Sequence, residues 1–235
     1  MSDRIVHYGG DVWRGYIEPI DANNSRLPGT WLPAGTFPTD WTQVTALSGD
    51  RILFYAAGTG HGCIGSIDAD NVYRDVTVLP SGTFAPDWTQ ITALSGDRIL
   101  YYGAETGRGC IGSVDADNNL RDVLPDAGTF ATDWTQITAL SDDRILYYGA
   151  ETGRGCIGSV DASNKLQDVT VIPEGSFATD WTQITALSGN RILYYSAEAG
   201  RECIGAINAD NELWDITVFN AAQDWVDITA LRLPG

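Results

Sequence analysis

Five Asp-Trp pairs carry the residue types in this 235-residue chain that could do chemistry: Asp40-Trp41, Asp87-Trp88, Asp133-Trp134, Asp180-Trp181 and Asp224-Trp225. A carboxylate beside an indole suits recognition of a polyhydroxylated ring. The carboxylate accepts hydrogen bonds from neighbouring hydroxyls, while the indole face covers the ring's apolar C–H patch. Gln43, Gln90, Gln136 and Gln183 follow the first four Trp residues by two positions, which on a strand puts both on one face and within reach of one ligand. The fifth pair has Asp227 there. Upstream stand Gly35-Thr-Phe37, Gly82-Thr-Phe84, Gly128-Thr-Phe130 and Gly175-Ser-Phe177, whose Phe either walls a pocket or plugs a core. The competing reading makes each Trp a core anchor and each Asp a cap on the preceding turn.

Other repeated groups are less pointed. Glu105-Thr-Gly-Arg108 recurs as Glu151-Thr-Gly-Arg154 and Glu198-Ala-Gly-Arg201, a second candidate loop that also fits a solvated turn. Asp68-Ala-Asp70-Asn71 and its copies alternate oxygen side chains as a hard cation would require. They lack the glycine and the following glutamate of an EF-type loop, and Asp and Asn are the expected residues of tight hairpins. Cys63, Cys110, Cys156 and Cys203 recur in four of the five units, with Tyr16 at the equivalent place in the first; they are too far apart for disulfides and lack zinc-type spacing, so they read as small buried side chains. No metal or cofactor is expected.

These groups keep a common period, and that period identifies the elements that must hold them. The Asp-Trp pairs are spaced 47, 46, 47 and 44, and Arg-Ile pairs starting at Arg4, Arg51, Arg98, Arg144 and Arg191 are spaced 47, 47, 46 and 47. Residues 83–122 and 129–168 differ at only five positions. Such a period fits either helical repeats or propeller blades. Within one unit, Trp88–Leu94, Arg98–Tyr102, Cys110–Val114 and Leu120–Leu124 read as strands separated by Gly, Asn and Asp turns, and no segment is long enough for a helix. The expected fold is all-β: a five-bladed β-propeller with four antiparallel strands per blade, one domain over residues 1–235. Residues 1–30 start at the second strand of a unit and residues 224–235 form a lone first strand. The two are expected to pair as one closing blade, which removes open edges.

Composition narrows the partners. Fourteen Lys and Arg against thirty-one Asp and Glu give a net charge of −17, which repels nucleic-acid phosphates and anionic lipid. Lys165 is the only lysine, and His7 and His61 occupy different repeat positions, which excludes a lysine or histidine site in every unit. No apolar run is long enough to span a membrane, and no signal region is visible, so a cytoplasmic location is expected.

Five units of this length, each with a Trp-led first strand, a Gly-Asp or Asn turn and an aromatic second strand such as Ile99-Leu-Tyr-Tyr102, resemble the tachylectin-type five-bladed propeller lectins across the whole chain. Thr39-Asp40-Trp41 and Pro86-Asp87-Trp88 stand where that family has Gly-Gly-Trp and Asp-Asn-Trp. The resemblance implies a multivalent lectin for N-acetylated amino sugars, with up to five sites between adjacent blades and glycans or glycoproteins as partners. A monomer is expected. The alternative is a structural or protein-interaction propeller, designed or recently amplified. The odd residues His7, Trp13, Trp31, Lys165 and Trp214 form no recognisable catalytic constellation, so an enzyme is not expected.

Overall fold

In the computed structural model, residues 2–9, 14–38, 40–221 and 225–231 are described. They form twenty strands in five antiparallel four-stranded sheets, with no helix among the described residues; the fold class is the all-β five-bladed propeller. The first blade is composite. It joins β1 (Asp3–Gly9), β2 (Arg14–Ile20), β3 (Thr30–Trp31) and, from the far end of the chain, β20 (Trp225–Leu231), in the order β20-β1-β2-β3. The second contains β4 (Gln43–Ala46), β5 (Arg51–Ala56), β6 (His61–Ile67) and β7 (Tyr73–Leu79). The third contains β8 (Gln90–Ala93), β9 (Arg98–Gly103), β10 (Arg108–Val114) and β11 (Leu120–Thr129). The fourth contains β12 (Gln136–Ala139), β13 (Arg144–Gly149), β14 (Arg154–Val160) and β15 (Leu166–Ile172). The fifth contains β16 (Gln183–Leu187), β17 (Arg191–Ser196), β18 (Arg201–Ile207) and β19 (Leu213–Asn220).

The chain gathers into two compact units. Met1–Asp87 with Ala222–Gly235 hold the first two blades, and Trp88–Ala221 hold the other three. Within each unit the sequence explains the packing. The second strand of a blade reads Ile-Leu-aromatic-Tyr without alternation because both its faces are covered: Ile145, Leu146, Tyr147 and Tyr148 are all buried. The first strand of the second to fifth blades starts two residues later than the apolar pattern suggests, whereas β20 of the composite blade starts at its Trp. Trp88 and Thr89 precede the ladder, and the Thr89 hydroxyl and amide both donate to the Tyr102 carbonyl.

Neighbouring blades are tied by repeated side chains. In the three-blade unit the Gln90 amide donates to the Thr135 carbonyl at 2.8 Å, and the Gln136 amide donates to the Thr182 carbonyl at 2.7 Å. In the two-blade unit Asp227 stands at that register position, and its carboxylate accepts the Val44 N–H at 2.6 Å. The Arg-Ile pairs supply a second tie. Arg98 donates to the Asp161 carbonyl and Asn164 Oδ1, each at 3.0 Å, and Arg144 donates to the Asn208 carbonyl and Asn211 Oδ1. Arg4 grips Asp68 and Asn71 in the same way. The acidic turns are therefore guanidinium receptors. Asp161 Oδ1 accepts the amides of Ser163 and Lys165, and Asn164 sits at φ 62°, the hairpin geometry expected of these residues.

The loop before each of the first four Asp-Trp pairs is seated by its Phe. Tyr148 meets Phe177 edge-on at 5.6 Å and donates its hydroxyl to the Ala178 carbonyl, and Tyr8, Tyr55 and Tyr102 treat Phe37, Phe84 and Phe130 alike. Gly153 makes this approach possible: at φ 63°, a Cβ there would stand 2.3 Å from the Phe177 carbonyl oxygen.

Candidate functional site

The first four Trp residues of the pairs are buried, at 6–8% exposure, so they anchor the core as well as edge any site. Their Asp neighbours are engaged by the residue that sequence reading treated as a separate loop. Arg154 forks onto Asp133 at 2.7 and 2.6 Å, and Arg201 forks onto Asp180 at 3.2 and 2.7 Å. Each guanidinium also lies over the indole of its pair, 4.3 Å from the Trp134 ring centre and 4.2 Å from that of Trp181. Arg108 covers Trp88 at 4.4 Å. His61 stands in for the arginine beside Trp41, with Nε2 3.3 Å from Asp40. The arginine beside each carboxylate holds Asp133 and Asp180 below the ordinary carboxylate range. The two sequence candidates are thus one construction: indole, guanidinium and carboxylate in layers.

The glutamines part company with the Trp. Gln90 and Gln136 spend their amides on the next blade's backbone, as above. Gln43 and Gln183 occupy the same register position, opposite Tyr55 and Tyr195. Asp87 precedes the Trp88 that Arg108 covers, and Asp224 lies outside the described residues.

One clamp opens on a cavity of about 380 Å³ between the fourth and fifth blades. Phe177, Trp181, Tyr194 and Trp214 supply aromatic wall; Ser176, Arg201, Asn211 and Asp215 supply polar groups. Ile172 and Leu213 complete the apolar lining. Phe177 therefore both plugs the core against Tyr148 and walls the cavity, 6.2 Å from the Tyr194 ring. Burial pushes the Tyr194 phenol up, and burial with the nearby Asp215 carboxylate pushes the Cys203 thiol up to about 12, which keeps it unreactive. Sequence reading missed Tyr194 and Asp215 because they lie on strands far from the Asp-Trp pair. Trp214 was visible only as an odd residue.

The composite blade replaces this arrangement. His7, Tyr16, Glu18, Arg26 and Trp31 stand where the fifth blade, by register, has Tyr194, Cys203, Gly205, Leu213 and Val218. The five converge. Glu18 Oε2 lies 3.6 Å from His7 Nε2 and 3.1 Å from Arg26 Nε, with His7 and Glu18 buried. The rings of His7, Tyr16 and Trp31 surround Trp225 at 5.1, 6.4 and 5.9 Å. The exchange is sterically consistent: at Gly205 a Cβ would stand 3.0 Å from the Tyr194 ring, so a side chain at that register needs a smaller ring opposite, which His7 supplies. A similar exchange marks the shortened loop before Trp225. Gly155 leaves room for Phe177, a Cβ there falling 2.7 Å from its ring; the fifth blade lacks that Phe and carries the buried Glu202 at the matching register.

No family model matches the chain, and no curated relative matches it. Solved structures do. A functionally unknown protein from Desulfotomaculum acetoxidans is similar over 94% of this chain and 70% of its own, at 12% identity and a TM-score of 0.52. A protein from Lactobacillus plantarum is similar over 94% and 67%, at 11% identity and a TM-score of 0.51. A putative 6-phosphogluconolactonase from Bacteroides uniformis is similar over 93% and 68%, at 13% identity and a TM-score of 0.50. These likenesses show the fold. The third also corrects one expectation: a solved protein of this fold is described as a putative 6-phosphogluconolactonase, so the lack of a familiar catalytic string does not make this chain a non-enzyme. Among the described residues no helix is long and apolar enough to cross a membrane.

Proposed function

We propose that the protein is a carbohydrate-binding propeller with a site in the cavity between the fourth and fifth blades. The observation that carries this reading is the lining: four aromatic side chains beside Ser176, Asn211, Asp215 and the Arg201–Asp180 clamp. The aromatic faces match the apolar face of a pyranose, the polar groups match its hydroxyls, and the volume lies in the range of small-ligand sites. The resemblance to tachylectin-type lectins supports the same reading, with glycans or glycoproteins as partners and a monomer presenting several related clefts. Repetition of sites on one chain raises apparent affinity ~10²–10⁴-fold on a multivalent surface. A glycan array followed by calorimetry with the best hit tests it. Signal lost on Trp214→Ala is expected; an array silent for every sugar, with flat calorimetry, overturns it.

A second reading is catalysis on a sugar derivative, and the His7–Glu18–Arg26 cluster is the observation that favours it. It is a buried titratable group confined to one blade. Turnover of a sugar lactone that disappears in His7→Ala would support it, and an equal rate in that variant would remove it.

A further inference from the structure

The cavity between the fourth and fifth blades carries an imbalance of charge that a neutral sugar does not use. Its one cation, Arg201, is already neutralised by the two-pronged contact with Asp180 and lies flat on Trp181. A second carboxylate, Asp215, lines the same space. It faces Arg201, the Cys203 thiol and the Tyr194 phenol, and it raises the pKa of each. With Arg201 and Asp180 cancelling, Asp215 leaves the cavity one negative charge in excess, inside a protein of net charge −17. On the rim stands Trp214, 49% exposed, whose indole face is free to meet a cation. By register the second and third blades have Arg74 and Arg121 at this place, and the fourth has Gln167. Two of the three put positive charge where the fifth blade puts an aromatic face.

We propose that this cavity is selective for amino sugars with a free, protonated amine, as in a de-acetylated chitin oligosaccharide, over their N-acetylated or neutral counterparts. The inference rests on the carbohydrate-binding reading above and specifies its ligand class. The ammonium pairs with Asp215 and lies against Trp214, while the pyranose ring packs on the aromatic wall. The overall negative field favours the same ligand and disfavours uronic or sialic acids. Trp214 has no aromatic counterpart in the second, third or fourth blade, where Arg74, Arg121 and Gln167 stand at its register, so the site acts once per chain.

Calorimetry on the full chain tests this with glucosamine and de-acetylated chitin trimer, against N-acetylglucosamine and glucose, at about pH 6, below the ~7.7–8.0 typical of an α-amino group. The amine-bearing sugars are expected to bind ~10-fold more tightly, with a stoichiometry near one, from an exposed ion pair together with a cation–π contact. Asp215→Asn should remove the difference between the amine-bearing and the N-acetylated sugars. Trp214→Arg, an exposed substitution that installs the residue of the second and third blades, should abolish the preference. Equal or tighter binding of N-acetylglucosamine overturns the inference but leaves the carbohydrate reading standing. Absence of binding by every sugar overturns both.

Discussion

At the residue scale, the repeated Asp-Trp pair is half of a clamp. A carboxylate with no arginine beside it would be free to take sugar hydroxyls, as the pair alone suggests. Arg201 instead occupies Asp180 and at the same time covers Trp181, and the lining available to a ligand becomes the far side of that clamp together with Tyr194, Trp214 and Asp215. Both partners are about one-third exposed, so solvent screening limits the pair's stabilising effect. A double-mutant cycle with Asp180→Ala and Arg201→Ala is expected to give a coupling of ~0.5–1 kcal/mol in urea unfolding. The arginine lowers the Asp180 pKa, so this coupling is present above the ordinary carboxylate pKa and is lost as pH falls through the depressed value. A coupling that persists unchanged in strong acid would contradict the geometry. The composite blade poses the opposite case. Glu18→Ala leaves His7 and Arg26 facing a buried gap, and should cost ~3–5 kcal/mol in the same measurement. Exchanging all five cluster residues for those of the fifth blade should recover most of that loss, because the replacement set is already packed there.

At the element scale, the innermost strands decide how blades join. Gln90 and Gln136 donate to the next blade, whereas β20 offers Asp227, an acceptor, to the Val44 amide. Burial pushes the Asp227 carboxyl up from 3.8 to about 7, against the opposing effect of the Val44 and Ile228 amides. The titratable group across from it is Tyr8 on β1, whose own phenol rises to about 12, mainly by burial and in small part through Asp227. The sign follows from the raised value. Between about 3.8 and 7 the folded chain holds a proton that the unfolded chain has released, so this contribution is complete below about 3.8 and is lost as pH rises through about 7. Asp227→Asn keeps an acceptor for Val44 without the buried charge. It should raise stability by on the order of 1–3 kcal/mol at about pH 8, with the gain shrinking toward about pH 5. Equal gains at both values would show that the charge is relieved in another way.

At the scale of the whole molecule, β20 is the only described strand that joins its blade from the far end of the chain. It covers the edge of β1 in register from Arg4↔Leu231 to Tyr8↔Asp227 and, past a bulge, pairs Gly9 with Trp225, which brings Trp225 into the ring cluster. Deleting residues 225–231 should expose a seven-residue edge strand that is almost entirely buried in the complete protein. Loss of cooperative unfolding and concentration-dependent association by light scattering are expected, with recovery when a peptide of residues 225–231 is added. A truncated chain that stays monomeric with an unchanged midpoint would show that β1 is protected by something else.

The sequence by itself determined the blade count, the four strands per blade and the composite first blade. Those follow from local causes that repeat: β-branched and aromatic runs, Gly and Asn at turns with positive φ, and a period counted directly from the Asp-Trp and Arg-Ile pairs. The shortened interval before Trp225 is likewise counted directly from the spacing of the pairs. What the side chains do was decided only by tertiary structure. Arg201 lies twenty-one residues from Asp180, and Glu18 and Arg26 meet only because Ile5 and Ile20 set their registers across β1 and β2. Periodicity says which positions are equivalent, but not which equivalent side chains touch. For the same reason His7 and Trp214 looked like isolated exceptions along the chain, whereas His7 belongs to a set of replacements, dispersed in sequence, that packing brings together, and Trp214 lines a cavity with Tyr194 and Asp215.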